Sequence, residues 1–241
     1  MDNTIYLKGI RLIDSEETEI NFNKFPFNLS VVKYIEKFIF DTPVTILLGE
    51  NGVGKSTLIE AIAIAIGFNA EGGNKNIRFS SYDSHSDLFK YITLKRLYLP
   101  KNGFFFRSET LYSLETKLSE YYENWKLHDL SHGQGTIEIL KEYFKPNGIY
   151  ILDEPESALS PTSQFAFLNL VHDYAEHYNC QFIIATHSPI VAGYNYAKIY
   201  EISVDSEPLI TEYEDTSLIA LYKRYISDPN YRKYLLEIEN D

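Results

Sequence analysis

The chain has 241 residues, of which 44% are hydrophobic and 23% charged; this suits one large α/β domain and excludes disorder over most of its length. Lys plus Arg number 22 against 34 Asp plus Glu, a net charge of −12, which excludes a general polyanion binder: a nucleic acid would need a local basic patch or a partner that supplies one. A single cysteine, Cys180, excludes an intramolecular disulfide and a multi-cysteine zinc site.

Residues 1–14 lack a basic stretch followed by an apolar core, and no apolar run approaches the roughly 20 residues that span a bilayer. A soluble, cytoplasmic protein without direct membrane insertion is expected. Residues 4–13 are rich in β formers and read as a strand, with 17–23 as its hairpin partner. Over 29–40, Val31, Ile35, Phe38 and Ile39 fit a helical face. Val44–Leu48 is a continuous apolar run between Pro43 and Gly49, the pattern of a strand buried on both faces. Residues 55–66, rich in Ala, Ile and Leu, predict a buried helix. Two strands are expected over 91–106, split by Pro100–Gly103, and then a polar helix with Leu111, Leu114 and Leu118 on one side. Ile149–Leu152 and Phe182–Ala185 are two more buried strands. Ser160-Pro161, Ser188-Pro189 and Asp228-Pro229 each have the form of an N-cap followed by proline at the first helical position. Strands near 198–203 and 209–213 precede two short terminal helices. Strands alternating with helices predict an α/β fold with a mostly parallel central sheet.

Gly49-Glu50-Asn51-Gly52-Val53-Gly54-Lys55-Ser56 matches G-x-x-x-x-G-K-[ST], with a buried strand before it and a helix after it. Glycines let successive backbone N–H groups turn inward around phosphate oxygens, and the helix N-terminus adds its positive dipole end. Lys55 is placed to reach the β- and γ-phosphates, Ser56 to offer its hydroxyl to Mg²⁺, and Thr57 to touch the α-phosphate. The strand Ile149–Leu152 runs into Asp153 and Glu154. Beside a phosphate loop, such a strand end is where Mg²⁺ is held. Asp153 is the candidate metal contact, and Glu154 the candidate base that orients and deprotonates an attacking water. That pair favours hydrolysis over phosphoryl transfer to a metabolite. Phe25, Phe27 and Tyr34 are candidates to stack on a nucleotide base, although each also fits a core position. His85, His128, His172 and His177 show no metal-ligand spacing. Lys95-Arg96, Lys223-Arg224 and Arg232-Lys233 are short basic pairs that fit solvated faces.

Leu130-Ser131-His132-Gly133-Gln134 resembles the Leu-Ser-Gly-Gly-Gln signature of ATP-binding-cassette (ABC) ATPases, and it precedes the Asp153-Glu154 strand as in that family. Ala185-Thr186-His187-Ser188-Pro189 resembles the family's switch-histidine loop. With the phosphate loop, these motifs cover roughly residues 44–190. The segments Asp153–Ser160 and Thr186–Pro189 are most similar to the soluble branch of SMC and RecF-type repair ATPases and the small ATPases grouped near them. The resemblance implies an ABC ATPase-like head over 1–241 as a single domain. It would have an N-terminal antiparallel β portion and a short helical arm over about 108–145.

The resemblance also implies an ATP sandwich between two copies placed head to tail. ATP would be held by Asn51, Gly52, Val53, Gly54, Lys55, Ser56 and Thr57 of one copy and by Ser131, His132 and Gly133 of the other. His187 would contact the γ-phosphate, with Lys55 and Glu154 completing the catalytic set and Ser56 and Asp153 holding Mg²⁺. A homodimer on ATP binding is implied, acting on a partner effector protein, a nuclease or DNA in repair or defence. The alternatives are the ATP-binding subunit of a membrane transporter and a nucleotide switch with negligible turnover. Three departures stand out: His132 replaces a signature glycine, Ser160 replaces a frequent aspartate, and no glutamine lies between Thr57 and Leu130. Arg107 is the candidate substitute for that missing lid-loop glutamine.

Overall fold

The computed structural model describes residues 5–13, 20–70, 72–73, 86–110 and 132–237. The expected arm helix with Leu111, Leu114 and Leu118 lies outside the described residues, as do Ser131, His85 and His128.

Five parallel strands form the body of the molecule: β2 (Val44–Gly49), β4 (Asn102–Arg107), β5 (Gly148–Asp153), β6 (Gln181–Thr186) and β7 (Ala197–Ile202). They stand in the order β4-β5-β6-β2-β7, and β8 (Leu209–Thr211) adds an antiparallel edge to β7. The apolar runs read from the sequence become these strands because both faces are covered. Period-two alternation sends Leu47, Phe105, Ile149, Ile151, Ile183 and Ala185 into one core. It sends Val44, Ile46, Leu48, Phe104, Phe106, Tyr150, Leu152, Phe182 and Ile184 into the other.

Helix α1 (Ser30–Lys33) and helix α2 (Lys55–Ile66) pack into the first core. Helix α3 (His132–Tyr143) and helix α4 (Pro161–His177) pack into the second, together with the single turn α5 (Pro189–Ala192). α2 stops at Gly67, whose φ of 106° lets its N–H reach back to the carbonyls of Ala63 and Ile64. α4 opens where the sequence predicts, with the Ser160 hydroxyl accepting from Ser163 N–H at 3.2 Å and Pro161 at the first position. Two terminal helices follow, α6 (Ser217–Ser227) and α7 (Pro229–Glu237), the second capped by Asp228.

The N-terminal strand β1 (Leu7–Leu12) does not make the predicted hairpin with 17–23. It pairs antiparallel with β3 (Ile92–Arg96), far along the chain. Residues 17–19 lie outside the described residues, and 20–23 are not strand. Asn23 N–H donates to the Asn21 carboxamide at 2.9 Å, a local turn that takes a donor a ladder would need. The helical face over 29–40 is also shorter than expected. After a 3₁₀ turn at Ile35–Lys37 the chain becomes extended at Phe38, and Ile39 bridges Gly9.

Gln181, fully buried at the start of β6, fastens the small sheet to the large one. Its carboxamide oxygen accepts from Tyr6 N–H and Leu7 N–H, each at 2.9 Å, and its NH₂ donates to the Leu7 carbonyl at 2.8 Å. Gln181→Leu removes all three bonds and leaves buried backbone groups without that partner. A loss of about 3 kcal/mol is expected, read as a lower urea midpoint at unchanged slope; an unchanged midpoint would contradict the role.

Candidate functional site

The turn from β2 into α2 carries the phosphate-loop motif and has the shape that motif requires. Gly52 and Gly54 have φ of 84° and 97°, the left-handed region that side chains disfavour. At Gly54 a Cβ would also sit 2.8 Å from Val31 Cγ2. α2 therefore starts with Lys55, its first N–H groups open toward the loop. Lys55 is buried, and its Nζ donates to the carbonyls of Gly49 at 2.7 Å and Glu50 at 2.8 Å. Burial lowers its pKa, an effect opposed by the charges of Glu154, Asp153, Glu156 and Glu50.

Across the sheet, the end of β5 brings the acids to the same edge. Ser56 Oγ donates to Asp153 Oδ1 at 3.0 Å. Burial raises the Asp153 pKa to about 6, opposed by the Ser56 bond and the charge of Arg107 and reinforced by Glu154 and Glu109. Glu154 turns out of the strand at φ 48° while its N–H still donates to Ala185 O at 3.0 Å. Its carboxylate is partly exposed and meets the imidazole of His187, with Nδ1 3.3 Å from Oε1. A cleft of about 430 Å³ runs along this edge, lined by loop residues Asn51, Gly52, Gly54, Lys55, Ser56 and Thr57 and by Asp153 and Glu154. One serine hydroxyl beside one carboxylate is a hard-oxygen pair that fits Mg²⁺, an ion that takes few protein ligands and completes its shell with water and phosphate. Among the described residues no cluster of three or more His, Cys, Asp or Glu forms a metal cage.

The fold thus brings Lys55, Ser56, Asp153, Glu154 and His187 to one edge. Val53 is buried beneath the loop rather than in the cleft wall. Gly133 lies in the first turn of α3, away from the cleft, where a Cβ would sit 2.9 Å from Ala158 O. His132 begins that helix. Of the three aromatic candidates, Phe25 lines the cleft and is exposed; Phe27 packs edge-on against Tyr91. Cys180 is buried as expected, and burial lifts its thiol to about 11.

Arg107, the candidate lid residue, is not among the residues that line the cleft. Its Nη1 binds Glu60 Oε2 at 2.6 Å and Ala70 O at 3.0 Å, and its Nη2 binds Glu109 at 3.0 Å. It neutralises Glu60, the one acid in the apolar helix α2. That lone acid was the available signal for a buried ion pair. Ser108 and Glu109, just past Arg107, line the cleft instead. Sequence reasoning also passed over Glu156, which accepts from both Thr186 Oγ1 and His187 N–H.

Residues 84–192, just under half of the chain, match the family described as "AAA domain, putative AbiEii toxin, Type IV TA system". That match spans Asp153, Glu154 and His187 and begins beyond the phosphate loop, so the two signals are independent. The chain is a P-loop ATPase of the ABC/AAA type.

This ATPase is 25% identical over 203 residues to the zinc transport system ATP-binding protein AdcC of Streptococcus pneumoniae, covering 75% of this chain and 85% of that protein. It is 38% identical over 61 residues to the OLD nuclease of Thermus scotoductus, covering 25% of this chain and 12% of that protein. The SMC head domain from Thermotoga maritima aligns with a TM-score of 0.45 at 17% identity, over 73% of this chain and 92% of that one. No helix among the described residues is long and apolar enough to cross a membrane.

The raised Asp153 pKa fixes the sign of a pH effect in this ATPase. Between its ordinary value of 3.8 and about 6, the folded chain binds more protons at this site than the unfolded chain, so this contribution to stability fades as pH rises through that window. Asp153→Asn is expected to flatten that part of the stability–pH curve and to add roughly 3 kcal/mol at pH 7. Chemical denaturation at pH 4 and pH 7 measures both; an equal change in stability at the two pH values would refute it.

Proposed function

We propose that this ATPase hydrolyses ATP with Mg²⁺ between two of its own copies arranged head to tail. Closing and reopening would drive a partner protein or a DNA-directed effector in repair or defence. The observation that carries the reading is the convergence of Lys55, the Ser56–Asp153 pair and the Glu154–His187 pair on one edge of the sheet.

In this reading the loop N–H groups and Lys55 orient the phosphates, and Lys55 exchanges its carbonyl partners for phosphate oxygens. Ser56 and Asp153 would hold Mg²⁺, which when bound supplies charge neutralisation at the β- and γ-phosphate oxygens. Glu154, partly exposed and lining the cleft, takes the proton of the attacking water. His187, on the far side of Glu154, orients that carboxylate and donates to the γ-phosphate. Phe25 offers its ring to the base. Ser131, His132 and Gly133 reach the ATP of the second copy; that Gly133 does not line its own cleft supports this.

The defence role is supported by the family description and by the short likeness to a nuclease. The likeness to AdcC across most of that protein favours a second reading, the ATP-binding subunit of a transporter.

Glu154→Gln is expected to bind ATP within about twofold of wild type and to turn over at least ~100-fold more slowly. Wild-type turnover would refute the base assignment. Lys55→Ala should lose ATP binding, measured by calorimetry, and retained binding would refute the loop assignment. With ATP and Mg²⁺, Glu154→Gln should elute as a dimer and Glu154→Gln combined with Ser131→Arg as a monomer. A permease co-purifying with Glu154→Gln would replace the first reading by the second.

A further inference from the structure

The sequence Asp153-Glu154-Pro155-Glu156 contains a third acid that neither the metal pair nor the base requires. Glu156 does not line the cleft, and its side chain is 4% exposed. Its Oε1 accepts from the Thr186 hydroxyl at 2.5 Å and from His187 N–H at 3.1 Å. Thr186 Oγ1 in turn accepts from Ser188 N–H at 2.9 Å, and Ser188 Oγ donates to Gln164 at 2.6 Å. The backbone on both sides of His187 is thus tied to the segment that follows Glu154. The imidazole itself stays 44% exposed, with Nδ1 3.3 Å from Glu154 and 3.8 Å from Glu156.

The second oxygen of Glu156, Oε2, is buried and makes no hydrogen bond to the described residues. A buried carboxylate with half its acceptor capacity unmet lowers stability, and a neutral side chain would serve the fold better. What the side chain provides is one acceptor oxygen with two hydrogen bonds, from Thr186 Oγ1 and from His187 N–H. Both are spent on the two residues that set the position of His187.

We propose that Glu156 is a positioning residue: through Oε1 it fixes the backbone of His187, and so holds the imidazole against Glu154 and within reach of the reacting phosphate. The proposal rests on the role of His187 given above. It predicts a specific split. Glu156→Ala loses kcat about 10- to 100-fold, the scale of a displaced reacting group. Its KM and directly measured ATP affinity stay within about twofold. Glu156→Gln, which keeps an acceptor oxygen, recovers kcat to within about fivefold of wild type.

In a His187→Ala background, Glu156→Ala costs no more than about a further twofold, because the two substitutions remove one function. Thr186→Val, which deletes one hydroxyl with little change of shape, lowers kcat in the same direction and keeps the test open if Glu156→Ala does not fold. Wild-type kcat in both Glu156→Ala and Thr186→Val would overturn the proposal. So would the same fold-loss from Glu156→Ala with and without His187, or ATP affinity falling in step with kcat. If His187→Ala alone turns over at the wild-type rate, the histidine's role fails and the proposal falls with it; if only Glu156→Ala is silent, the histidine stands and the positioning role is wrong.

Discussion

Strand β2 is hydrogen-bonded along its whole length to parallel partners on both sides, β6 and β7, and that pairing decides where the chemistry sits. Leu48 lies opposite Thr186, and one strand further out Asp153 lies opposite Ala185. The carboxyl ends of three strands are therefore level, and the residues that leave them meet: Lys55 and Ser56 beyond β2, Asp153 and Glu154 from β5, His187 beyond β6. A slip of one residue in either pairing would move its acids by about 3.3 Å and turn them to the opposite face. The continuous apolar runs fix the register, because each alternate residue has a place in one of two cores.

The same arrangement concentrates negative charge. Asp153, Glu154, Glu156 and Glu50 all act on Lys55, and Asp153 is held protonated to a higher pH than a solvated aspartate. Arg107 relieves part of this by binding Glu60 on α2 and Glu109 at the cleft, and its charge lowers the Asp153 pKa. It links the end of β4 to the helix that bears Lys55, so the residue nearest the expected lid position works as a counter-ion within the fold. A buried ion pair of this kind adds little net stability while intact, but losing one partner leaves an uncompensated charge that costs several kcal/mol.

The parallel strands, the phosphate loop and the acids at the end of β5 were legible in the sequence because each is local. An apolar run, a glycine pattern or an N-cap with proline announces itself within a few residues. The same holds for the Ser160, Ser188 and Asp228 caps, all of which the structure bears out. What could not be read depends on distant partners. β1 finds β3 rather than its sequence neighbour, and Arg107 finds Glu60 across 47 residues. Glu156 reads as one more acid in an acidic turn until β6 brings Thr186 beside it. The left-handed backbone at Glu154 carried no signal, since glutamate rarely adopts it.

The Gln181 bridge also sets the order in which the protein can be completed. Tyr6 and Leu7 are synthesised well before the side chain that receives their N–H groups, which follows 174 or more residues later. At roughly 5–20 residues per second, β1 waits on the order of 10–35 s for that partner. Its other partner, β3, is made much earlier, so the small antiparallel sheet can pair before the large sheet exists to receive it. Docking of the two sheets is then a late step of biosynthesis. Until it happens, Tyr6, Leu7 and Ile10 present apolar surface to whatever chaperone or neighbouring chain they meet.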